Sequence, residues 1–197
     1  MAIKPPILQQ GDTIGIVALG SPLSPEIINN RVMTLQALGF QVVLGRYVYA
    51  ADGYLAGTDQ QRAADFMSMI ENPNVNMILP TRGGVGVAGI LPFLDYPVIA
   101  RNPKIVSGYS DITVLLNVLY QFANLITFHS LLLINFTTSE PAYSFNQFFS
   151  GNFYSGRNKA YLEPAGLSAH RQGGRQRHGS DRGRQSDLVL GYARNAL

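Results

Sequence analysis

The stretch TIGIVAL, residues 13–19, decides the class of fold, because it is a nearly uninterrupted run of apolar and β-branched residues. Such a run is typical of a strand that is buried on both faces of a parallel sheet. After a loop, the residues SPE at 24–26 have the pattern of a helix start, with a serine cap and a proline in the first turn. Apolar residues then recur at helical spacing as far as Leu38, and Gly39 is expected to end the helix.

The same alternation of strand and helix patterns continues along the chain as far as residue 129. Residues 58–70 and 111–122 have helical periodicity, and Thr58 is expected to cap the first of these two helices. Further strand patterns occupy residues 40–44, 75–79, 104–108 and 126–129. Strands that alternate with helices predict an α/β fold, with a mostly parallel sheet of about five strands and helices on both faces.

Composition limits the classes of protein that remain. The chain has 197 residues, of which 46% are hydrophobic and 14% are charged, so it can bury a substantial core. It has no cysteine, which excludes a disulfide scaffold, a thiolate nucleophile and a thiolate metal site. No apolar run reaches the roughly 18 residues of a membrane span, and the first residues lack the apolar segment of a secretory signal. A cytoplasmic protein with no membrane partner is expected.

The positive charge of the chain is concentrated at its C-terminal end. Residues 1–167 contain nine Lys or Arg and ten Asp or Glu, whereas residues 168–197 contain six Arg and two Asp. The body has no basic stripe, so no nucleic-acid partner is expected. Residues 168–186 are rich in Gly, Arg, Gln and Ser, which predicts a poorly ordered basic tail behind a domain at residues 1–167. An Arg-rich tail that binds RNA is the alternative for this segment.

A glycine-rich segment, RGGVGVAG at residues 82–89, follows the third predicted strand. From Gly84 to Gly89 it has the G-x-G-x-x-G spacing of dinucleotide sites, but those sites follow the first strand of the fold. A second interpretation is that the glycines only permit a tight turn and close helix packing. A third is a cradle of backbone amides for a developing negative charge, with Arg82 beside it to hold an anionic group of a substrate.

The segment VSGYSDIT, residues 106–113, runs from a predicted strand directly into a predicted helix. This is the layout of a nucleophile elbow, in which a sharp turn exposes a serine hydroxyl at the carboxyl end of a sheet. Ser110 is therefore a candidate nucleophile, and the backbone N–H of Asp111 is a candidate oxyanion donor. Ile112 stands where the G-x-S-x-G motif has its last glycine, and the alternative is that Ser110 or Asp111 only caps the helix.

Residues 1–165 resemble the N-terminal domain of the LD-carboxypeptidases, a serine peptidase family that includes muramoyltetrapeptide carboxypeptidases and microcin-immunity peptidases. The resemblance is carried by GDTIGIVA at residues 11–18, RGGVG at 82–86, GYSDIT at 108–113 and TFH at 127–129. This sequence differs from the family pattern in the loop after the first strand, where it has LGSP at 19–22 and the family has Pro-Ser. It also differs after His129, where it has SL and the family has Gly-Pro.

The resemblance implies a site and a reaction. It implies that Ser110 attacks the peptide carbonyl and that the backbone of Gly84 and Asp111 forms the oxyanion hole. Arg82 and Gly83 are expected to contact the substrate. The implied substrate is a murein peptide whose L,D-bond is cleaved through an acyl-enzyme. No metal and no cofactor are implied, and a homodimer is an expectation that the residues leave open.

The chain departs from the family after residue 167. In the family, the general-base histidine and its orienting glutamate lie in a C-terminal domain that residues 168–197 do not match. His129 is expected to be a structural residue of a strand, and without a base Ser110 would be a weak nucleophile. Residues 183–197, back-translated with permitted codons and read one base later, can give VGNLTLFWATLGTP, which resembles the opening of the family's second domain. We therefore expect a frameshift near residue 168 that truncates the enzyme.

Two other classes of function stay open from the sequence. One is a non-catalytic α/β domain that binds a small ligand at the glycine-rich loop while Ser110 only caps a helix. The other is a dinucleotide-binding domain that uses residues 84–89.

Overall fold

The computed structural model of the protein describes residues 2–137 and 142–150. Five strands form one sheet in the order β2-β1-β3-β4-β5, and every neighbouring pair is parallel. They are β1 (Thr13–Val17), β2 (Gln41–Leu44), β3 (Val75–Pro80), β4 (Ile105–Gly108) and β5 (Phe128–His129). The predicted fold class is confirmed. The domain boundary and the basic tail predicted from the sequence lie outside the described residues.

Helices cover both faces of the sheet, as predicted. They are α1 (Pro25–Ala37), α2 (Asp59–Glu71), α3 (Tyr96–Arg101), α4 (Ile112–Ala123) and α5 (Ala142–Ser150), with 3-10 helices at Val87–Phe93 and Leu133–Asn135. Successive side chains of a strand point to opposite faces. In β1, Val17 packs in the core with α2, α3 and α4, whereas Ile16 packs in the core with α1 and α5.

Local sequence signals fix where the first two long helices begin. The Ser24 hydroxyl accepts a hydrogen bond from the N–H of Ile27 at 3.4 Å. Thr58 and Gln61 form a reciprocal capping box, with bonds of 3.2 and 3.0 Å between the side chain of each and the backbone N–H of the other. Both caps were predicted from the sequence, and the helices begin one residue after them.

The strand order places a topological switch point between β1 and β3, at the carboxyl edge of the sheet. The chain leaves β1 for β2 on one side, and β3 pairs with β1 on the other side. In sheets of this kind, ligands bind at the carboxyl ends of the strands near such a switch point. The loop after β1 and the glycine-rich loop after β3 occupy this place, and the loop after β4 is their neighbour.

Of the helices in residues 2–137 and 142–150, none combines the length and the apolar character needed to cross a bilayer.

Candidate active site

Ser110 lies in the turn between β4 and α4, at the carboxyl edge of the sheet. Its φ is +61°, a left-handed conformation that residues other than glycine rarely adopt, and the residue is exposed. The N–H of Thr113 donates to the Ser110 carbonyl at 3.0 Å and so joins the turn to the first turn of α4. An exposed serine in a strained strand-to-helix turn has the geometry of a nucleophile elbow.

Asp111 occupies the N-cap position directly before α4, but its carboxylate forms no capping hydrogen bond with the helix. Instead, its Oδ2 accepts a hydrogen bond of 2.9 Å from the N–H of Val87, at the end of the glycine-rich loop. The turn that carries Ser110 is therefore connected directly to that loop. The Asp111 carboxylate therefore does not act as a cap of the helix.

Gly83 is buried directly against the candidate nucleophile. A Cβ placed on Gly83 would lie 3.1 Å from Ser110 Oγ and 3.3 Å from the backbone nitrogen of Asp111. Contacts at about this distance are closer than most Cβ atoms make in proteins, so a side chain at Gly83 would push against the serine. The absence of a side chain lets the glycine-rich loop approach Ser110 closely.

Two backbone N–H groups near the contact between Gly83 and Ser110, those of Gly84 and Asp111, are candidates for an oxyanion hole. The Gly83 carbonyl accepts a hydrogen bond of 3.0 Å from the N–H of Ser21. In a trans peptide the C=O and the N–H point in opposite directions, so the Gly84 N–H points away from Ser21. Among residues 2–137 and 142–150, neither the Gly84 N–H nor the Asp111 N–H has a hydrogen-bond partner.

The fingerprint spacing of the loop has a packing explanation. A Cβ on Gly84, Gly86 or Gly89 would collide with the side chain of Ser21, Leu55 or Asp59, respectively. This supports the interpretation that these glycines permit close packing with the chain itself.

Two other predicted residues border the turn. Arg82 is half-buried, and its guanidinium makes no hydrogen bond or ion pair with any other described residue. His129 ends β5, where it pairs in register with Gly108 and its ring centroid lies 6.5 Å from that of Tyr109. His129 is thus an exposed strand residue at the same edge of the sheet as Ser110.

Sequence reasoning missed Arg62, the only arginine of α2. Its side chain is 0% exposed, and its guanidinium donates to the carbonyls of Leu19 and Gly86 and pairs with the carboxylate of Asp59. A signal for it was present, because Arg62 lies beside Ala63 and four residues before Phe66 on the apolar face of the helix, where an arginine is unusual.

No group of three or more His, Asp or Glu side chains in the described part of the chain is arranged to hold a metal ion.

The fold and this geometry define an α/β domain in which an exposed serine, in a strained strand-to-helix turn, lies beside a glycine-rich loop. The chain belongs to the LD-carboxypeptidase family, since the family model of the LD-carboxypeptidase N-terminal domain matches residues 14–130. The family resemblance stated from the sequence motifs is confirmed.

Comparison with individual proteins agrees with this assignment. The chain is 40% identical over 126 residues to the "Probable murein peptide carboxypeptidase" of Bacillus subtilis, which covers 64% of this chain and 40% of the relative. It is 41% identical over 130 residues to the microcin C7 self-immunity protein MccF of Escherichia coli, covering 64% of this chain and 38% of that protein. A solved structure of wild-type apo MccF superposes with a TM-score of 0.73 and 34% identity, over 79% of this chain and 48% of that one. The chain thus spans two-fifths to a half of the length of these relatives.

Proposed function

We propose that this chain carries the nucleophile of a serine-type LD-carboxypeptidase, a cytoplasmic enzyme that cleaves the L,D-peptide bond of murein tetrapeptides. The observation that carries the proposal is Ser110, an exposed serine in a strained turn with Gly83 packed against its hydroxyl. Membership of the carboxypeptidase family supports the reaction, and the relative named for murein peptides supports the substrate class.

The proposed chemistry is acyl transfer through Ser110. Its Oγ attacks the peptide carbonyl carbon, and the hydroxyl proton passes to a general base. The oxyanion of the tetrahedral intermediate accepts hydrogen bonds from the N–H groups of Gly84 and Asp111, which have no partner in the described residues. Collapse of the intermediate expels the terminal D-amino acid, whose amine takes up a proton, and water then hydrolyses the acyl-enzyme.

Arg82 suits the recognition of the substrate. The substrate of a carboxypeptidase has a free carboxylate on the residue that leaves, so a cation is needed near the scissile bond. Arg82 adjoins Gly83 in the sequence, and its guanidinium has no partner among the described residues. A guanidinium can bind a carboxylate with two parallel hydrogen bonds. We assign Arg82 and Gly83 to the substrate side of the site.

The general base is proposed to lie outside the matched domain. No described side chain forms a hydrogen bond with Ser110 Oγ. The frame-shifted reading of residues 183–197 supports a second domain encoded downstream, and the matched region covers only the N-terminal domain of the family. We therefore propose that residues 1–197 by themselves are catalytically incomplete.

The test compares the 197-residue chain with a protein in which the reading frame after codon 167 is restored. Release of the terminal D-amino acid from a murein tetrapeptide is measured by chromatography. The restored protein should be faster by several orders of magnitude, and Ser110→Ala in it should leave only a residual rate, about 10³-fold over water. Ser130→Ala, at the neighbouring strand end, is the control and should leave the rate unchanged.

The outcomes separate the parts of this proposal. A restored protein that is indifferent to Ser110→Ala would contradict the assignment of the nucleophile. Full activity of the 197-residue chain, lost in Ser110→Ala, would show that the base lies within it. His129→Ala would then be the first variant to measure, because His129 lies at the same sheet edge.

A second candidate within the family is an immunity activity against microcin C7-type compounds. The structural similarity to MccF over 79% of this chain favours it. Growth of a microcin-sensitive strain that expresses the restored protein distinguishes the two, since protection by the wild type and none by Ser110→Ala supports the immunity activity.

A further inference from the structure

The peptide unit between Gly86 and Val87 is held from both ends by charged side chains. Its carbonyl oxygen, on Gly86, accepts a hydrogen bond of 2.9 Å from the Arg62 guanidinium. Its N–H, on Val87, donates a hydrogen bond of 2.9 Å to the Asp111 carboxylate. Hydrogen bonds with an ionised partner are stronger than those between neutral groups, so this peptide is fixed more firmly than an ordinary loop peptide.

Arg62 anchors the peptide to the interior of the domain. Its guanidinium also donates to the Leu19 carbonyl, which follows β1, and it is oriented by the ion pair with Asp59. One buried side chain therefore ties the loops that follow β1 and β3 together at the switch point of the sheet. The side chain of Asp59 is 41% exposed, whereas that of Arg62 is fully buried.

Asp111 anchors the same peptide to the nucleophile turn. It directly follows Ser110, and its backbone N–H is one of the two proposed oxyanion donors. The hydrogen bond from the Val87 N–H to the Asp111 carboxylate thus fixes the distance between the glycine-rich loop and the start of α4. At its other end, the loop is held by the bond from the Ser21 N–H to the Gly83 carbonyl. Gly84 lies between these two anchors.

We propose that Arg62 and Asp111 are positioning residues that clamp the Gly86–Val87 peptide and so hold the Gly84 N–H in place beside Ser110. The inference rests on the proposed function of Ser110, since a fixed N–H matters when an oxyanion forms there. Neither side chain touches the reacting atoms. Their effect is to keep two N–H groups, one on each of two separate loops, at a constant distance.

The first arm of the test measures the clamp without reference to catalysis. Hydrogen exchange of the Val87 amide is followed by NMR in the 197-residue chain. Asp111→Ala should speed this exchange by about tenfold or more, because the acceptor is lost. Asp111→Asn should remain within about threefold of the wild type, because an amide oxygen still accepts the bond. Unchanged exchange in Asp111→Ala would overturn the clamp.

The second arm measures the consequence at Ser110. In the protein with the reading frame after codon 167 restored, the rate at which a fluorophosphonate probe labels Ser110 is followed by intact mass, with Ser110→Ala as the blank. Asp111→Ala should slow labelling by about tenfold or more, and Asp111→Asn should restore it, since the phosphonyl oxygen needs the same two donors. Asp95→Ala is the matched control, because Asp95 also accepts from a backbone N–H, that of Val98 at 2.9 Å, but caps α3 away from the loop. It should lower stability and leave labelling unchanged.

Asp59→Ala tests the role of Arg62 in the clamp, and this variant should still fold. It removes the partner that orients the guanidinium, and both Val87 exchange and Ser110 labelling should change by about threefold in the same directions as in Asp111→Ala. No change in either rate would show that Arg62 is not part of the clamp.

Rapid exchange of the Val87 amide in Asp111→Ala, together with Ser110 labelling at the wild-type rate, would show that the clamp does not position the Gly84 N–H. No labelling of the protein with the restored reading frame would contradict the proposed nucleophile, and the exchange rates would still decide the clamp.

Discussion

Ser110 combines a strained backbone with an exposed hydroxyl. Its φ of +61° is a conformation that a serine reaches only at a cost of about 1 kcal/mol, and such strain is common at functional sites. The fully buried strand β4 and the apolar helix α4 fix the chain on both sides of the turn, so the packing of these two elements compensates for the strain.

We expect Ser110→Gly to be more stable than Ser110→Ala by about 1 kcal/mol, because glycine adopts a positive φ without the steric cost of a Cβ. Urea unfolding of the two variants measures the difference. The control is Asn72, whose φ is −72°, so that glycine there should be no more stable than alanine. Equal stability of the two Ser110 variants would mean that the turn relaxes and carries no strain.

The candidate nucleophile could be predicted from the sequence, whereas Arg62 could not be connected to the site. The strand–turn–helix pattern around Ser110 is contiguous, so its signal is local. The partners of Arg62 are carbonyls 43 and 24 residues away, at Leu19 and Gly86. Every residue has a backbone carbonyl whatever its side chain, so a bond to a carbonyl gives no signal in the sequence. Only the folded chain shows which carbonyls an arginine reaches.

At the scale of elements, a buried carboxylate connects α2 to the turn after β2. Asp65 lies on the sheet side of α2, and its Oδ2 accepts a hydrogen bond of 2.9 Å from the N–H of Tyr47. Burial raises the pKa of the Asp65 carboxyl above its ordinary value, and the hydrogen bonds from Tyr47 and Arg46 and the charge of Arg46 offset only part of that rise.

The raised pKa of Asp65 gives a stability change with a definite sign. A group whose pKa is higher in the folded than in the unfolded chain contributes stability at low pH that is lost as the pH rises through the folded pKa. Asp65→Asn keeps an acceptor for Tyr47 and carries no charge, so its stability relative to the wild type should be greater at neutral pH than in acid. Thermal unfolding from acid to neutral pH measures this, with the exposed Asp52→Asn as the control. A difference that is independent of pH would contradict it.

Most elements were predictable because their signals are periodic, but their ends were not. The strand predicted for residues 13–19 ends at Val17, since the chain turns out of the sheet to bring the Leu19 carbonyl to Arg62. The strand predicted for residues 126–129 is reduced to Phe128–His129, because β4 offers partners only at Ser107 and Gly108. Pairing partners of this kind are set by the tertiary structure.

For the molecule as a whole, the core on the side of the sheet that α1 and α5 cover shows how far the folded unit extends. Phe136 makes edge-on contacts with Phe145 and Phe148, at centroid distances of 5.5 and 5.4 Å. These rings belong to the same buried cluster as Ile16 of β1 and Leu35 of α1. Helix α5 was not predicted, although its phenylalanines have helical spacing, and its packing makes it part of the domain that carries Ser110.

We expect Phe148→Ala to lower the free energy of unfolding by about 3–5 kcal/mol, as for other fully buried phenylalanines. The control is Tyr143→Ala on the same helix, which should cost much less because Tyr143 is 72% exposed. Chemical denaturation of the full chain measures both. Similar small losses in the two variants would mean that α5 contributes little to the stability of the sheet.

The central place of β1 in the sheet affects how the nascent chain folds. This strand is synthesised before the others, yet it lies between β2 and β3, where Ile14 pairs with Val42 on one side and Met77 on the other. No neighbouring strands of the sheet form a hairpin, so each pairing must close a long loop, which slows folding. During translation, one edge of β1 therefore stays unpaired until β3 leaves the ribosome, and an unpaired strand edge of this kind can pair with other chains and lead to aggregation.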